Sequence, residues 1–160
     1  MNVDDTGTQV GREYPATPLV GVAAVVIRGE DILLIRRGRE PMLGAWSLPG
    51  GLLEVGETTA DGVVREVFEE TGVRVRPVEI VATLDRIVRD DAGRVRFHYV
   101  LVEWLCLPET HGTGKLVCGD DAAAAVWLGR DEIYSETYGL EEPTLGVIEK
   151  GLKLAETMTR

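Results

Sequence analysis

Residues 58–72, TTADGVVREVFEETG, spell out a helix with both ends marked and three carboxylates on one of its turns. Thr58 is placed to cap the first turn, and Asp61 follows three residues later, near the positive end of the helix dipole. Gly72 comes after the last periodic residues and supplies a natural stop. At about 100° per residue, Ala60, Val63, Val64, Val67 and Thr71 share one side of the wheel and predict the face turned to a core. Glu66 and Glu70 stand about 40° apart on that wheel, with Glu69 roughly 60° beyond Glu66. Glu70 borders the apolar stripe near Val63 and is expected to be partly desolvated, while Glu69 points outward.

Carboxylates at i, i+3 and i+4 are neighbours on a helix surface and repel one another. Most glutamate-rich helix faces are simply solvated. A divalent cation held between the three would remove the repulsion, and an all-oxygen donor set suits a hard ion. The surrounding residues favour the second reading. Gly51, Glu57, Arg65, Glu66, Val67, Glu69, Glu70, Gly72 and Val73 fill, in order, the pattern G-x5-E-x7-R-E-U-x-E-E-x-G-U with U an aliphatic residue. Seven of those positions are fixed to one residue type, each expected at roughly one in fifteen, so a chance match in a chain this long is negligible.

That pattern is the signature of the Nudix hydrolases, and residues 51–73 resemble it at every defined position. Trp46-Ser-Leu-Pro-Gly-Gly51 is similar to the family's approach to this box. The strand pair around Val20–Arg37 and the segment Asp120–Trp127 also look like family members. The likeness covers about residues 18–135, and the box is its highly specific part.

The resemblance implies hydrolysis of a nucleoside diphosphate linked to another moiety. Magnesium or manganese ions bound by the box glutamates would bridge the pyrophosphate oxygens, neutralise developing charge and activate water. Carried over to this chain, Glu66 and Glu70 are the principal metal ligands, and Glu69 is a further ligand or the base for water. The catalytic assignment falls on Glu66 and Glu69. A backbone carbonyl at Gly50 or Gly51 joins the metal site, since glycine lets the main chain approach closely. Glu57 and Arg65 form an ion pair that orients loop and helix. The whole-chain look, especially Phe97–Val102 and the acid pair before Trp127, is similar to ADP-ribose pyrophosphatase-like members. A nucleoside triphosphate substrate stands close behind, and a non-catalytic nucleotide-binding module comes third.

Composition sets bounds that agree. One hundred and sixty residues suit a single domain with a real core, here residues 18–160 behind a polar arm at 1–17. A net charge of −10 argues against a nucleic-acid or anionic-membrane partner, and not against a phosphate substrate whose charge a metal meets. The longest apolar run, Leu19 to Ile27, is too short to span a bilayer. MNVDDTGTQVGREYP has no basic region leading into an apolar stretch, so a signal peptide is not expected. Cys106 and Cys118 form no metal spacing and read as buried thiols of a reducing cytosol. The expectation is a cytoplasmic protein with a small-molecule nucleotide substrate, and a homodimer is compatible with it.

Leu19–Arg28 and Glu30–Arg37 read as strands joined tightly at Gly29, the first buried on both faces. Glu79–Val88 and Arg94–Leu107 predict a hairpin around Asp90–Gly93. In its second strand Val95, Phe97, Tyr99 and Leu101 alternate with Arg96, His98, Val100 and Val102. Ala123–Leu128 reads as a short strand. Leu145, Ile148, Leu152 and Ala155 repeat at helical spacing and predict a terminal helix over the sheet. The fold class is α/β: a mixed β-sheet flanked by helices, the α/β/α sandwich that the resemblance also implies. Arg36 and Arg37 close a strand on opposite faces, so at most one meets a given site, as a phosphate contact or as a solvated edge charge. Asp120 or Asp121 supplies an acid outside the box, or only a loop turn or cap. His98 and His111 are isolated and read as structural.

Overall fold

The computed structural model describes residues 11–109, 115–119 and 121–158. β1 (Leu19–Arg28) and β2 (Asp31–Arg37) form a hairpin through Gly29, whose φ of 62° is the left-handed turn that a side chain disfavours. The two strands pair only at their tips, Ile27 with Ile32 and Arg28 with Asp31, and then part. β1 continues between β6 (Val95–Pro108), to which it is parallel, and the short antiparallel β4 (Gly50–Leu52). β2 turns instead to β3 (Trp46–Ser47) and β7 (Ala122–Gly129). The long antiparallel pair β5 (Val75–Arg89) and β6 completes a mixed seven-stranded sheet. The turn between them forms because the Asp90 carboxylate accepts from the backbone N–H of Ala92 and Arg94.

Two helices cover the faces. α1 (Thr59–Thr71) sets Val63 and Val67 against Val22, Ala24 and Val26, every second residue of β1, and against Leu33 of β2. α2 (Glu142–Met158) sets Val147, Ile148 and Leu152 against Val25 and Ile27, the intervening residues. From Ala24 to Ile27 β1 is therefore buried on both faces, as its apolar run requires, whereas Val20 near its start is exposed. Each such fully buried aliphatic side chain stabilises the fold by about 1.5–3 kcal/mol. Gly151 lets α2 approach β1 closely, since a Cβ there would lie 2.9 Å from a Val25 methyl. The expected α/β/α sandwich is the observed one. β5 starts four residues before its expected Glu79, because pairing with β6 continues through irregular register shifts, while β6 keeps its expected bounds to within one residue.

Candidate functional site

α1 begins at Thr58, whose hydroxyl accepts from the Asp61 N–H at 3.1 Å, and ends at Gly72 with φ 72°. Its buried positions are Gly62, Val63, Glu66, Val67, Glu70 and Thr71, with Ala60 and Val64 half-buried. The buried face is thus rotated from the expected one toward the glutamates. The cause is β4: its glycine backbone lies against the flank that carries residues 62, 66 and 70. A Cβ on Gly51 would come within 2.5 Å of the Glu66 carboxyl, and the Gly50 N–H donates to Glu70 Oε2 at 2.9 Å.

The three carboxylates have different surroundings. Glu66 and Glu70 are 7% and 3% exposed, whereas Glu69 is open to solvent. Burial pushes the Glu70 carboxyl up to about 8; the Gly50 N–H and Arg37 pull it back, and the charges of Glu66 and Asp121 add to the rise. Arg65 lies among these groups. Its Nε and Nη2 reach Glu57 at 2.7 and 2.9 Å, and Nη2 also donates to the Leu52 carbonyl at 3.1 Å. Nη1 reaches Glu66 at 2.8 Å and Glu69 at 3.3 Å. The Arg65 fork depresses the Glu57 carboxyl, and Glu57 in turn raises the guanidinium. Glu57 also accepts from the Glu54 N–H at 3.0 Å, so one ion pair fastens the loop after β4 to the helix.

Among the described residues no three His, Cys, Asp or Glu side chains converge in metal-binding geometry. A cation shared by all three glutamates requires Glu66 and Glu69 to turn away from Arg65 Nη1. The donor set nevertheless fits a hard divalent ion. Its groups are carboxylate and carbonyl oxygens, two of the acids are buried, and glycine stands where any other side chain would block Glu66.

Beside the carboxylates, on the other side of the β4 backbone, lies a cavity of about 480 Å³. Gly50 and Gly51 form its wall there, so only backbone separates it from Glu66 and Glu70. Arg37 lines it with its Nε donating to the Pro41 carbonyl at 2.8 Å, and burial lowers its pKa. Arg36 is exposed on the opposite face, as strand alternation requires. Asp121 reaches Arg39, lies 4.0 Å from Arg12, and is near enough to act on Glu70. Asp120 and His111 lie outside the described residues. His98 is half-buried in β6. Cys106 is buried with its thiol pushed up to about 12, but Cys118 is exposed, contrary to expectation, in a segment laid over the end of α1. There the Val117 and Gly119 N–H groups donate to the Thr71 and Glu70 carbonyls.

Sequence reading missed three cavity residues. Arg12 belongs to the stretch read as an arm, yet Tyr14 N donates to the Arg96 carbonyl at 2.7 Å and brings that stretch onto the cavity rim. Arg86 came from a strand without a clear alternation. Glu103 was within reach: carrying the alternation of residues 95–101 one step further puts a carboxylate on the apolar face.

The family model described as NUDIX domain matches residues 17–150. The chain belongs to the Nudix family. Among curated Nudix relatives, an ADP-ribose pyrophosphatase of Methanocaldococcus jannaschii is 35% identical over 108 residues, 68% of this chain and 60% of that protein. A MutT-like protein of Streptomyces ambofaciens is 37% identical over 125 residues, 76% of this chain and 72% of its own length. Thus the chain spans less than two thirds of the first of these relatives. Among solved structures, an ADP-ribose pyrophosphatase from Streptococcus suis superposes with a TM-score of 0.63 at 25% identity, over 87% of this chain and 92% of that one. Nudix proteins generally use divalent metal ions, in keeping with the oxygen donor set on α1. No helix among the described residues is long and apolar enough to cross a membrane.

Proposed function

We propose that this Nudix protein hydrolyses the pyrophosphate bond of a nucleoside diphosphate derivative, with ADP-ribose or a related nucleotide sugar as substrate and magnesium or manganese as the ion. The observation that carries the reading is the placement of Glu66 and Glu70: two buried carboxylates face glycine backbone that also walls a nucleotide-sized cavity. The names of the Methanocaldococcus and Streptococcus relatives support the choice of ADP-ribose.

In this proposal Glu66, Glu70 and the Gly51 carbonyl would hold the ion, with Glu69 as a further ligand. The ion supplies neutralising charge on the diphosphate and a lowered pKa for water. The chain's own residues do the rest. In this reading Glu69, solvent-exposed and next to the buried pair, takes a proton from incoming water. Arg37, near enough to act on Glu70, presents a cation to the phosphate oxygens from the cavity lining, where burial strengthens its field. Glu57 and Arg65 keep the β4 loop seated on α1, so the Gly51 backbone stays beside Glu66. The cavity beyond β4 holds the remainder of the substrate.

A turnover panel of ADP-ribose, diadenosine polyphosphates, NADH, sugar nucleotides and nucleoside triphosphates, run with magnesium at neutral and alkaline pH, tests this. AMP and ribose 5-phosphate from ADP-ribose are the expected products. Absence of product from every member of the panel would overturn the reading.

A further inference from the structure

The cavity carries an acid for which metal binding and phosphate binding have no use. Glu103 projects into it from β6, is 5% exposed, and its Oε2 is buried with no hydrogen-bond partner among the described residues. A buried polar oxygen left in that state is costly, and a native structure keeps it for a reason. The cation that acts on it, Arg86, is engaged elsewhere: it donates to Glu141 Oε2 at 2.6 Å and to the Met42 sulfur. Burial accordingly pushes the Glu103 carboxyl up to about 7.

Position narrows what this oxygen can meet. A carboxyl repels phosphate, so its partner is an uncharged, donor-bearing part of the ligand. Ala23 of β1 pairs with Gly50 on one side and with Glu103 on the other, which sets Glu103 about 10 Å from the glycine beside Glu70, two strand spacings away. A sugar attached to a phosphate at β4 spans that interval. The floor between is Gly21 and Ala23, too small to intervene. Tyr99, on the same face four residues earlier, has a hydroxyl without a partner among the described residues and lies under the influence of Arg12 and Arg37, so it does not share Glu103's partner.

Resting on the nucleotide reading above, we propose that Glu103 is a specificity-determining residue that accepts hydrogen bonds from the vicinal hydroxyls of a ribose. Two adjacent donors match one carboxylate, so the cavity selects ribose over 2-deoxyribose. Both the nucleoside ribose and a second, phosphate-linked ribose carry that diol, and binding can tell them apart.

Calorimetric titration of the full chain with ADP against 2′-deoxy-ADP, and with ribose 5-phosphate against 2-deoxyribose 5-phosphate, tests the assignment without relying on turnover. Glu103→Gln keeps the shape, and Glu103→Ala removes the group; circular dichroism and melting verify that each is folded. The wild type is expected to prefer the ribose member of one pair by about tenfold or more, as the loss of a hydrogen bond to a buried carboxylate implies. That preference should shrink in Glu103→Gln and vanish in Glu103→Ala. A preference in the ADP pair places the nucleoside ribose at Glu103, and one confined to the sugar phosphates places the second sugar there. Equal affinities in both pairs, or a preference that survives in both variants, would overturn the Glu103 assignment while leaving hydrolysis intact. If none of the four binds, the assignment falls together with the nucleotide reading.

Discussion

The box glutamates differ in burial, and that difference decides how each substitution should behave. Glu70→Gln preserves volume and an oxygen for the Gly50 N–H while removing the charge. Turnover should fall about 10²–10⁴-fold, the range for losing a positioned charge-stabilising or proton-transferring group, with the fold intact. Glu69→Gln should lose activity on the same scale, although its side chain is exposed and its bond to Arg65 long. Rates near wild type in both variants would remove the metal assignment. Arg65→Ala belongs to another category. It strips a largely buried Glu57 of its two-pronged partner and frees the Leu52 carbonyl, so it should cost about 2–4 kcal/mol in urea denaturation. A stable Arg65→Ala protein with low activity would place Arg65 in the chemistry and not in the scaffold.

At the scale of elements, the site depends on β4 being three residues long and side-chain-free where it meets α1. Gly51→Ala would drive a methyl into the Glu66 carboxyl, and Gly50→Ala would drive one into β1 at Val22 and Ala23. The first should therefore abolish most activity with a modest change in stability, because Glu66 can swing outward. The second should destabilise by about 1–3 kcal/mol, because strand backbone cannot yield in that way. Steady-state rates set beside thermal melts of the two variants check the contrast, and equal losses in both quantities would refute it. The sequence made the helix, its caps and its acids legible because each is local: Thr58, Gly72 and the glutamate spacing act within one or two turns. It misplaced the buried face because that face is chosen by a distant partner, the β4 glycines, and not by the helix's own apolar count. Glu103 and Arg86 meet only because β5 pairs with β6, and Arg12 joins them because the stretch before β1 lies over Arg96. No periodicity within one segment encodes such a meeting. The same reason hid the exposure of Cys118, whose segment is held by the end of α1.

Across the whole molecule these acids couple folding to pH and to metal. Glu70 is held up at about 8 and Glu103 at about 7, both by burial, so between the ordinary glutamate range and those values the folded state binds protons that the unfolded chain has released. Folded-state proton excess makes stability decline as pH rises. Both contributions are complete in the acid range below the ordinary glutamate pKa and are lost on passing upward through about 7 and about 8. Glu57, held below its ordinary value by Arg65, acts in the opposite sense but in more acid solution, outside this interval. In the presence of a chelator the melting temperature should therefore drop from pH 5.5 to 8.5, a direction that the net charge of −10 reinforces through self-repulsion. Glu70→Gln and Glu103→Gln should each flatten the slope, and the double variant should flatten it most. Magnesium at a hundred times its dissociation constant should restore about 2.7 kcal/mol by mass action, and should do so best at alkaline pH, where Glu70 is already deprotonated. Glu103→Gln should keep that metal response and Glu70→Gln should lose it, since Glu70 alone of the two adjoins the carboxylates on α1. A melting temperature that rises with pH in the chelated wild type, or a magnesium response equal in the two variants, would separate the buried acids from the roles given to them.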